Sequence, residues 1–256
     1  SVGATENAML MASRCRGQTI ITNAAREPEI EDLQAYLRRL GVNLHGAGSS
    51  IITIEGQTCK TSVEHRIIPD RIVASTYALA VASAGGRAEI KGIEPRHFST
   101  VTDVLSEAGC DLDIGPDSLS IVCDRPLKAV RPIVTAPYPG FPTDAQPPLM
   151  AASLKFEGTT VFVENIFENR YRHISELLRM GADIRTEGRV ALICGRKVLH
   201  GATVEATDLR GGAALTVAAL GAQGESRVSG LKHIDRGYEC LETALGNLGA
   251  DIVRLE

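Results

Sequence analysis

Three aspartates occupy the same place in the sequence, directly before a predicted helix rich in small and apolar residues. They are Asp70, Asp144 and Asp208. An aspartate in this place is ordinarily an N-cap, whose carboxylate accepts hydrogen bonds from the free N–H groups of the first helical turn. A carboxylate beside an anion-binding helix end can instead accept a proton from a substrate hydroxyl. For each residue taken alone, the sequence leaves both interpretations open.

Further charged residues stand where the second helix of each predicted repeat begins, and they mix acids with arginines. They are Glu27, Arg96, Glu168, Arg170, Asp235 and Arg236. Arginine pairs with carboxylate and phosphate oxygens through the fork of its guanidinium group. Arg236 is predicted at a helix N-terminus, where a cation opposes the helix dipole, and an anionic ligand would explain that position. The mixture of charges favours proton transfer beside an anionic substrate.

A fourfold repeat supplies the elements that must position these residues. Helical segments end at Gly41, Gly109, Gly181 and Gly249, at intervals of about 70 residues. The sequence pattern of each copy predicts a helix, a strand, a second helix and a hairpin. A further strand is expected between copies. In the first copy the second helix is expected to begin near Pro28 and to end before Gly41. The last copy repeats this pattern, with Tyr238 in the core on the apolar face of its second helix.

The two amphipathic helices of each copy cannot bury their apolar faces alone, so we expect the copies to pack together. The simplest arrangement has the helices inside and the sheets outside, in an inside-out α/β barrel of repeated βαβαββ units. A doubly wound parallel sheet is the alternative. It agrees less well, because the paired strands after each second helix have the pattern of antiparallel hairpins.

The composition is that of a globular protein without a nucleic-acid or membrane partner. The 256 residues include 27 Lys and Arg against 31 Asp and Glu, and the net charge of −4 argues against a nucleic-acid or anionic membrane surface. No apolar run of the sequence approaches the length of about 18 residues that spans a bilayer. Six widely spaced cysteines without metal-ligand spacing indicate reduced, mostly buried thiols in a cytoplasmic protein.

Six short segments occur in the order in which one enzyme family carries them. They are residues 23–30 (NAAREPEI), 69–71 (PDR), 141–144 (FPTD), 167–170 (FENR), 206–210 (ATDLR) and 233–239 (HIDRGYE). Along its whole length the sequence resembles the UDP-N-acetylglucosamine 1-carboxyvinyltransferase (MurA) branch of the enolpyruvyl transferases, a family that includes EPSP synthase. The resemblance implies an inside-out α/β barrel architecture of two domains with three repeats each. Residues 1–66 would be the last repeat of the domain with the catalytic loop, and residues 67–256 most of the second domain.

The family's reaction moves the enolpyruvyl group of phosphoenolpyruvate to the 3′-hydroxyl of UDP-N-acetylglucosamine and releases phosphate. The reaction is the first committed step of peptidoglycan synthesis, and the resemblance implies no metal or organic cofactor. Catalytic roles are implied for Asp144, as the base that meets the 3′-hydroxyl, for Asp208, and for Arg236, which would bind phosphoenolpyruvate. Further substrate-binding or cleft-lining positions are implied for Ser1, Val2, Glu27, Asp70, Ile166, Glu168, Arg170 and Arg210.

The resemblance also implies a missing partner segment and leaves two alternatives. Ser1 stands inside a motif of the family, so we expect an N-terminal segment of the same enzyme, with the general-acid loop, to precede it. The chain alone is then expected to be inactive. One alternative is an EPSP synthase, which uses shikimate 3-phosphate as acceptor. The other is a truncated, non-catalytic protein that binds a UDP-sugar.

Overall fold

The computed structural model of the protein describes residues 1–57, 62–195 and 198–255. The chain divides into two compact units. The first contains Ser1–Pro69 and Pro137–Pro139, and the second contains Asp70–Ala136 and Gly140–Glu256. In the described ranges, no helix is long and apolar enough to cross a membrane.

The first unit is one copy of the predicted repeat. Its elements are α1 (Val2–Ala12), β1 (Gly17–Thr22), α2 (Pro28–Arg39), β2 (Asn43–His45) and β3 (Ile51–Gly56). Strand β3 lies between β1 and β2 and is antiparallel to both. The fully buried side chains of Met9, Ile30 and Ile54 join the two helices to the sheet in one core. The predicted start of α2 at Pro28 is confirmed.

The second unit contains three further copies of the repeat. The elements of the first are α3 (Arg71–Ala84), β4 (Gly86–Lys91), α4 (Ser99–Ala108), β5 (Asp111–Ile114) and β6 (Ser118–Cys123). Those of the next are β7 (Ile133–Val134), α5 (Gln146–Ser153), β8 (Thr159–Val163), α6 (Ile174–Arg179), β9 (Asp183–Glu187) and β10 (Val190–Cys194). Those of the last are β11 (Thr203–Glu205), α7 (Leu209–Leu220), β12 (Arg227–Ser229), α8 (Lys232–Asp235) and α9 (Leu241–Asn247). Short 3₁₀ helices at Pro95–Phe98 and Arg170–His173 precede α4 and α6.

The strands of the second unit form one sheet per copy. Strand β6 lies between β4 and β5 with antiparallel neighbours, and β10 lies in the same way between β8 and β9. Strand β7 joins β8 in parallel, and β11 joins β12 in parallel. Strands β7 and β11 are the strands that were expected between copies, and residues 133–194 contain the complete βαβαββ unit, so the doubly wound parallel sheet is wrong. In the last copy, the described residues after α9 do not form the predicted hairpin.

The first helices of the three copies pack against one another at the centre of the second unit. Helices α3, α5 and α7 contact each other directly, and every residue of α5 is buried. The strands behind them alternate between buried and more accessible residues, as β6 does along its whole length. A strand with one buried face covers a core, whereas a helix buried on all sides lies within it. The unit therefore has its helices inside and its sheets outside, which confirms the predicted fold class.

The second helix of the last copy differs from the prediction. It is split into α8 and α9, and Tyr238 lies between them rather than within a continuous helix. Cys240, directly before α9, has a φ of 46°, a left-handed conformation that a helix interior does not contain. The apolar spacing of the last repeat predicted the buried side chains correctly but could not reveal this backbone break.

The cysteines of the described ranges are free thiols. Cys110 and Cys123 are buried, but Cys15 and Cys240 are exposed, so the expectation of mostly buried thiols is wrong for this part of the chain. Cys59 lies outside the described residues. Among the described residues, no group of three or more histidine, cysteine, aspartate or glutamate side chains could hold a metal ion.

Candidate active site

Two of the three aspartates at helix entrances are N-caps. The Asp208 carboxylate accepts hydrogen bonds from the N–H groups of Arg210 at 3.1 Å and Gly211 at 2.8 Å, at the start of α7. Asp70 caps α3 through the N–H groups two and three residues further on, at 2.8 and 3.0 Å. These bonds satisfy donors that no helical carbonyl can reach. For both residues the N-cap interpretation is correct.

Asp144 occupies the same place in its repeat, but its carboxylate does not cap a helix. Helix α5 begins at Gln146, and Ala145 stands in the N-cap position. The next two residues are Pro147 and Pro148, which have no N–H groups to be capped. The proline pair thus removes the donors that an aspartate would ordinarily satisfy at this helix start, and the Asp144 side chain remains available for other partners.

Two arginines from distant parts of the second unit hold the Asp144 carboxylate. Nη2 of Arg170 donates to Oδ1, and Nη2 of Arg210 donates to Oδ2 at 3.0 Å. The arginine side chains are 11% and 14% exposed, whereas that of Asp144 is 37% exposed. The carboxylate therefore lies between two nearly buried cations and still has an open side.

The arginines keep this carboxyl group ionised. Burial alone would raise the pKa of Asp144, but the charges and hydrogen bonds of Arg210 and Arg170 outweigh burial and hold that pKa below its usual value of 3.8. Each arginine favours the charged form by its opposite charge and by donating a hydrogen bond to it. At neutral pH, Asp144 is an anionic acceptor with a fixed orientation.

Arg170 is held from behind by a chain of hydrogen bonds. Its Nε donates to Oγ1 of Thr143 at 3.1 Å, and the Thr143 hydroxyl donates to the Glu164 carboxylate at 3.1 Å. Its guanidinium carbon lies 4.5 Å from the centre of the Phe167 ring, within the range of a cation–π contact. The orientation of Arg170, and with it one side of Asp144, depends on these contacts.

Glu164 is the buried end of this series of hydrogen bonds, and it was not among the residues predicted from the sequence. Its side chain is 1% exposed and also accepts from the N–H groups of Ile166 at 2.8 Å and Phe167 at 2.9 Å. A signal was present, because Thr160 and Phe162 of β8 are buried and Glu164 continues the same two-residue period. A carboxylate on the buried face of a strand requires partners, and here it holds the turn that follows β8.

Arg210 uses a second nitrogen of its guanidinium group to contact Tyr238. Its Nη1 donates to the Tyr238 hydroxyl at 3.2 Å, while Nη2 contacts Asp144. Tyr238 is 1% exposed, so its predicted burial is confirmed. Its hydroxyl, however, contacts an arginine of the candidate site, which the apolar pattern of the last repeat did not indicate.

These groups border a cavity of about 690 Å³ in the second unit. The predicted residues that line it are Asp144, Ile166, Glu168, Arg170, Asp208, Arg210 and Arg236. The lining also includes Phe167, Asn169, Arg172 and Leu209, to which the sequence analysis gave no role. Asp144 and Arg210 are 66 positions apart, and they meet at one cavity because helix entrances of stacked repeats lie at the same end.

Two of the cavity arginines, Arg172 and Arg236, differ from the pair on Asp144. Within the described ranges neither guanidinium group has a hydrogen-bond or ion-pair partner. Arg236 directly follows the last residue of α8 and stands at its C-terminal end, so the predicted position at a helix N-terminus is wrong. The argument from an unfavourable helix dipole does not apply to Arg236, and its significance rests on its place in the cavity lining.

Four predicted residues do not belong to this lining. Ser1, Val2 and Glu27 are part of the first unit, where Ser1 caps α1 and Glu27 accepts from the N–H of Arg26 at 2.9 Å. Asp70 belongs to the second unit, but in the described structure it is a helix cap outside the cavity lining. The structure thus brings together the predicted residues of three helix entrances in the second unit.

Comparison with known proteins gives relatives along the whole chain. It is 51% identical over 255 residues to UDP-N-acetylglucosamine 1-carboxyvinyltransferase 2 of Caldanaerobacter subterraneus and 48% identical over 255 residues to UDP-N-acetylglucosamine 1-carboxyvinyltransferase 1 of Symbiobacterium thermophilum. Both alignments cover 100% of the chain but 61% and 58% of the relatives. The chain therefore spans about three fifths of the length of these relatives.

A solved structure and a family model agree with these relatives. The enolpyruvyl transferase NikO from Streptomyces tendae is similar with a TM-score of 0.87 at 29% identity, over 98% of this chain and 60% of that one. The family model described as EPSP synthase (3-phosphoshikimate 1-carboxyvinyltransferase) matches residues 1–245. Because this match includes nearly the whole sequence, the chain belongs to the EPSP synthase family.

Proposed function

We propose that the full-length protein containing this chain transfers the enolpyruvyl group of phosphoenolpyruvate to the 3′-hydroxyl of UDP-N-acetylglucosamine and releases phosphate. This reaction is the first committed step of peptidoglycan synthesis, and the proposal includes a cytoplasmic location. The names of the relatives at 48% and 51% identity support this acceptor over shikimate 3-phosphate. The proposed reaction needs no metal or organic cofactor.

The observation that carries the proposal is the state of Asp144. It is the helix-entrance aspartate that caps no helix, and it lines the cavity as an oriented carboxylate between Arg170 and Arg210. An alcohol becomes a competent nucleophile when a positioned base takes its proton as the new bond forms. In the proposed reaction, Asp144 accepts the 3′-hydroxyl proton as the sugar oxygen bonds to the phosphate-bearing carbon of phosphoenolpyruvate, and the neighbouring methylene carbon takes a proton from the general acid of the N-terminal segment as the double bond opens. The bond from that carbon to the phosphate oxygen then breaks, and loss of a proton from the new methyl group restores the double bond as phosphate leaves.

The arginines account for the anionic donor. Arg236 has no partner of its own in the described part of the chain, so a carboxylate or phosphate group can pair with it without displacing another side chain. Arg170 and Arg210 add positive charge in a partly buried site, where each charge is screened less than on the surface. Fixed cations of this kind stabilise the charge that develops on departing phosphate.

The remaining cavity residues have narrower proposed roles. The N–H of Ile166 already donates to Glu164, so a main-chain contact of Ile166 with the nucleotide sugar would use its carbonyl oxygen as acceptor. One carboxylate oxygen of Asp208, Oδ1, accepts the N–H groups at the start of α7, so its proposed catalytic role falls to Oδ2. Glu168 is exposed on the cavity wall and is proposed as a contact to the acceptor.

The proposal extends to the organisation of the longer protein. We propose that residues 1–66 form the last repeat of one domain, residues 67–256 most of the other, and an N-terminal segment of the same enzyme the rest. Ser1, Val2, Glu27 and Asp70 would then contribute to substrate binding in the complete protein. The lengths of the relatives support this view, since the chain covers 58–61% of them.

Phosphate release by the full-length protein tests the function. Phosphoenolpyruvate is supplied with either UDP-N-acetylglucosamine or shikimate 3-phosphate, and turnover is expected with the first acceptor. Asp144→Asn is expected to lower kcat by about a hundredfold or more while binding of UDP-N-acetylglucosamine changes little. Asp113→Asn removes an exposed carboxylate from β5, away from the cavity, and should leave kcat unchanged.

Each other outcome identifies a different function or role. Turnover with shikimate 3-phosphate alone would identify an EPSP synthase. Binding of UDP-N-acetylglucosamine without any turnover by the full-length protein would identify a non-catalytic nucleotide-sugar-binding protein. An Asp144→Asn variant with normal kcat would exclude Asp144 as the base. The 256-residue chain assayed alone is expected to release no phosphate.

A further inference from the structure

We infer that Tyr238 is a positioning residue, whose hydroxyl joins Arg210 to Thr76 of the central helix α3 and thereby fixes the arginine that holds Asp144. The consequence for turnover rests on the proposed function. The consequence for the Asp144 carboxyl group does not, because it concerns contacts within the second unit alone. Tyr238 has no direct contact with Asp144 among its hydrogen bonds, so it acts through Arg210.

The guanidinium group of Arg210 is held at two of its nitrogens. Nη2 reaches Oδ2 of Asp144 at 3.0 Å, and Nη1 reaches the Tyr238 hydroxyl at 3.2 Å. The guanidinium carbon is 5.7 Å from the centre of the tyrosine ring, which adds a cation–π contact. Because the group is planar, two fixed nitrogens determine the direction of the bond to Asp144.

The chemistry of the donors allows one direction for this chain of hydrogen bonds. An arginine has donors and no acceptor, so the Tyr238 oxygen accepts from Arg210 and its own proton points to Oγ1 of Thr76, 2.9 Å away. The Thr76 hydroxyl in turn donates to the carbonyl of Ile72 at 2.9 Å, within the same helix. In this direction every proton of the hydrogen-bonded series has an acceptor, whereas a Thr76 hydroxyl that donated to Tyr238 would leave the tyrosine proton without one.

The far end of the chain is a rigid anchor. Tyr238 is 1% exposed and Thr76 2% exposed, and α3 is one of the three helices at the centre of the unit. Burial raises the pKa of the Tyr238 phenol above its usual value of 10.0, although Arg210 and Thr76 oppose that rise. The hydroxyl therefore keeps its proton at neutral pH and donates it to Thr76 throughout.

The backbone next to Tyr238 packs closely on the start of α7. A Cβ atom on Gly237 would lie 2.7 Å from Cδ2 of Leu209, the residue that precedes Arg210 at the start of α7. A larger residue than glycine would require the Leu209 side chain to move. Close approach at Gly237 is an observation independent of the hydrogen bonds, and it places the next residue, Tyr238, within reach of Arg210.

The two arginines on Asp144 thus have separate supports. Arg170 is held through Thr143 and Glu164, while Arg210 is held through Tyr238 and Thr76. Loss of the Tyr238 hydroxyl should therefore release Arg210 alone. Asp144 would still contact a fixed Arg170, but Arg210 would no longer be held in one orientation. The ionised form of Asp144 would therefore be stabilised less.

A matched pair of threonine variants accompanies Tyr238→Phe in the test. Thr76 and Thr216 are both buried helical threonines whose hydroxyls donate to the carbonyl four residues earlier, but Thr76 alone of the two contacts Tyr238. Thr76→Val removes the acceptor of the tyrosine proton. Thr216→Val makes the same chemical change in α7 but leaves the hydrogen bonds of Arg210, Tyr238 and Thr76 intact. It therefore controls for the loss of a buried hydroxyl.

The first measurement follows the Asp144 carboxyl in the full-length protein by carbon-13 NMR, with the signal identified by its absence in Asp144→Asn. Wild type and Thr216→Val are expected to show the same low pKa, and Tyr238→Phe and Thr76→Val a higher one. The second measurement is steady-state turnover. For Tyr238→Phe we expect a fall in kcat of about tenfold with little change in KM, and for Thr76→Val a fall of about threefold.

The two measurements separate the inference from the proposed function. If the Asp144 pKa rises in Tyr238→Phe but the wild-type protein turns over no substrate, the positioning role stands and the proposed function fails. If Tyr238→Phe and Thr76→Val titrate like Thr216→Val, Tyr238 does not position Arg210 and the inference is overturned. Thermal unfolding checks that Tyr238→Phe is folded, and Thr76→Val decides the question if it is not.

Discussion

A Cβ atom on Gly212 would lie 2.5 Å from Cγ1 of Ile234. Gly212 belongs to the first turns of α7, and Ile234, which is 4% exposed, belongs to α8. The backbone of α7 therefore packs directly on a buried side chain of α8, and Arg236 follows two residues later in the cavity lining. Gly212 therefore determines how close α8 can approach α7.

Gly212→Ala should therefore destabilise the protein even though alanine favours a helix. The gain in helix propensity is about 1 kcal/mol, whereas crowding in a packed core costs about 1–3 kcal/mol and displaces α8. We expect a lower free energy of unfolding, measured in denaturant, and weaker binding of phosphoenolpyruvate by the full-length protein, measured by calorimetry. Gly246→Ala in α9 is the control, because a Cβ there meets nothing within 4 Å and should stabilise the helix. Equal stability of the two variants would contradict the packing argument.

Replacement of Glu164 tests the support of Arg170. Oε1 of Glu164 accepts from the Thr143 hydroxyl and from the N–H groups of Ile166 and Phe167, so Glu164→Gln replaces charge-assisted hydrogen bonds by neutral ones in a buried place. The expected loss of unfolding free energy is about 1–3 kcal/mol. Glu157→Gln changes an exposed carboxylate beside β8 and should alter it by less than about 0.5 kcal/mol. Thermal unfolding of both variants measures the difference, and similar midpoints would show that the Glu164 charge is not required.

The fold was predictable because its information is local and repeated. Four copies of one hydrophobic pattern indicated the order of helices and strands. The amphipathic helices could bury their apolar faces only by packing together inside. The sequence around Asp144 also differs from that around Asp70 and Asp208, since Pro147 and Pro148 follow it and leave no N–H groups to cap.

The supports of the site could not be predicted in the same way. The contact of Thr143 with Glu164 joins residues 21 apart, and that of Thr76 with Tyr238 joins residues 162 apart. No local pattern determines which distant hydroxyl meets a given arginine. Arg236 was placed in the cavity for a wrong reason, because α8 ends one residue before it rather than beginning there.

Stability at acidic pH should depend on His173. Its ring is fully buried, and burial lowers the pKa from 6.5 to about 4, while the nearby Asp208 opposes that effect. Below pH 6.5 the His173 ring binds a proton in the unfolded chain but not in the folded protein. The free energy of unfolding should therefore fall between pH 6.5 and about 4, by up to about 3 kcal/mol. Above pH 6.5 this contribution to the pH dependence is absent.

Denaturant unfolding between pH 4 and pH 7 measures this effect. His173→Phe keeps a buried ring without a titrating group, and its free energy of unfolding should decline less steeply over this range than that of the wild type. His45→Gln replaces an exposed histidine of β2 and should keep the wild-type slope. If His173→Phe and the wild type decline in parallel, His173 does not control acid stability.

Arg172 should contribute to the affinity for an anionic substrate. Four arginines and three carboxylates line the cavity, and two of the arginines are already held on Asp144. The Arg172 guanidinium group has no partner in the described ranges, so its charge is available to a phosphate or carboxylate group. Arg172→Gln is expected to raise KM for one of the two substrates about fivefold, to leave kcat nearly unchanged, and to weaken the dependence of KM on salt.

Arg87→Gln removes an exposed arginine from β4, outside the cavity lining, and separates a local contact from the general loss of one charge. An equal rise of KM in both variants would mean that Arg172 acts only through net charge, whereas a rise confined to Arg172→Gln would identify a direct contact.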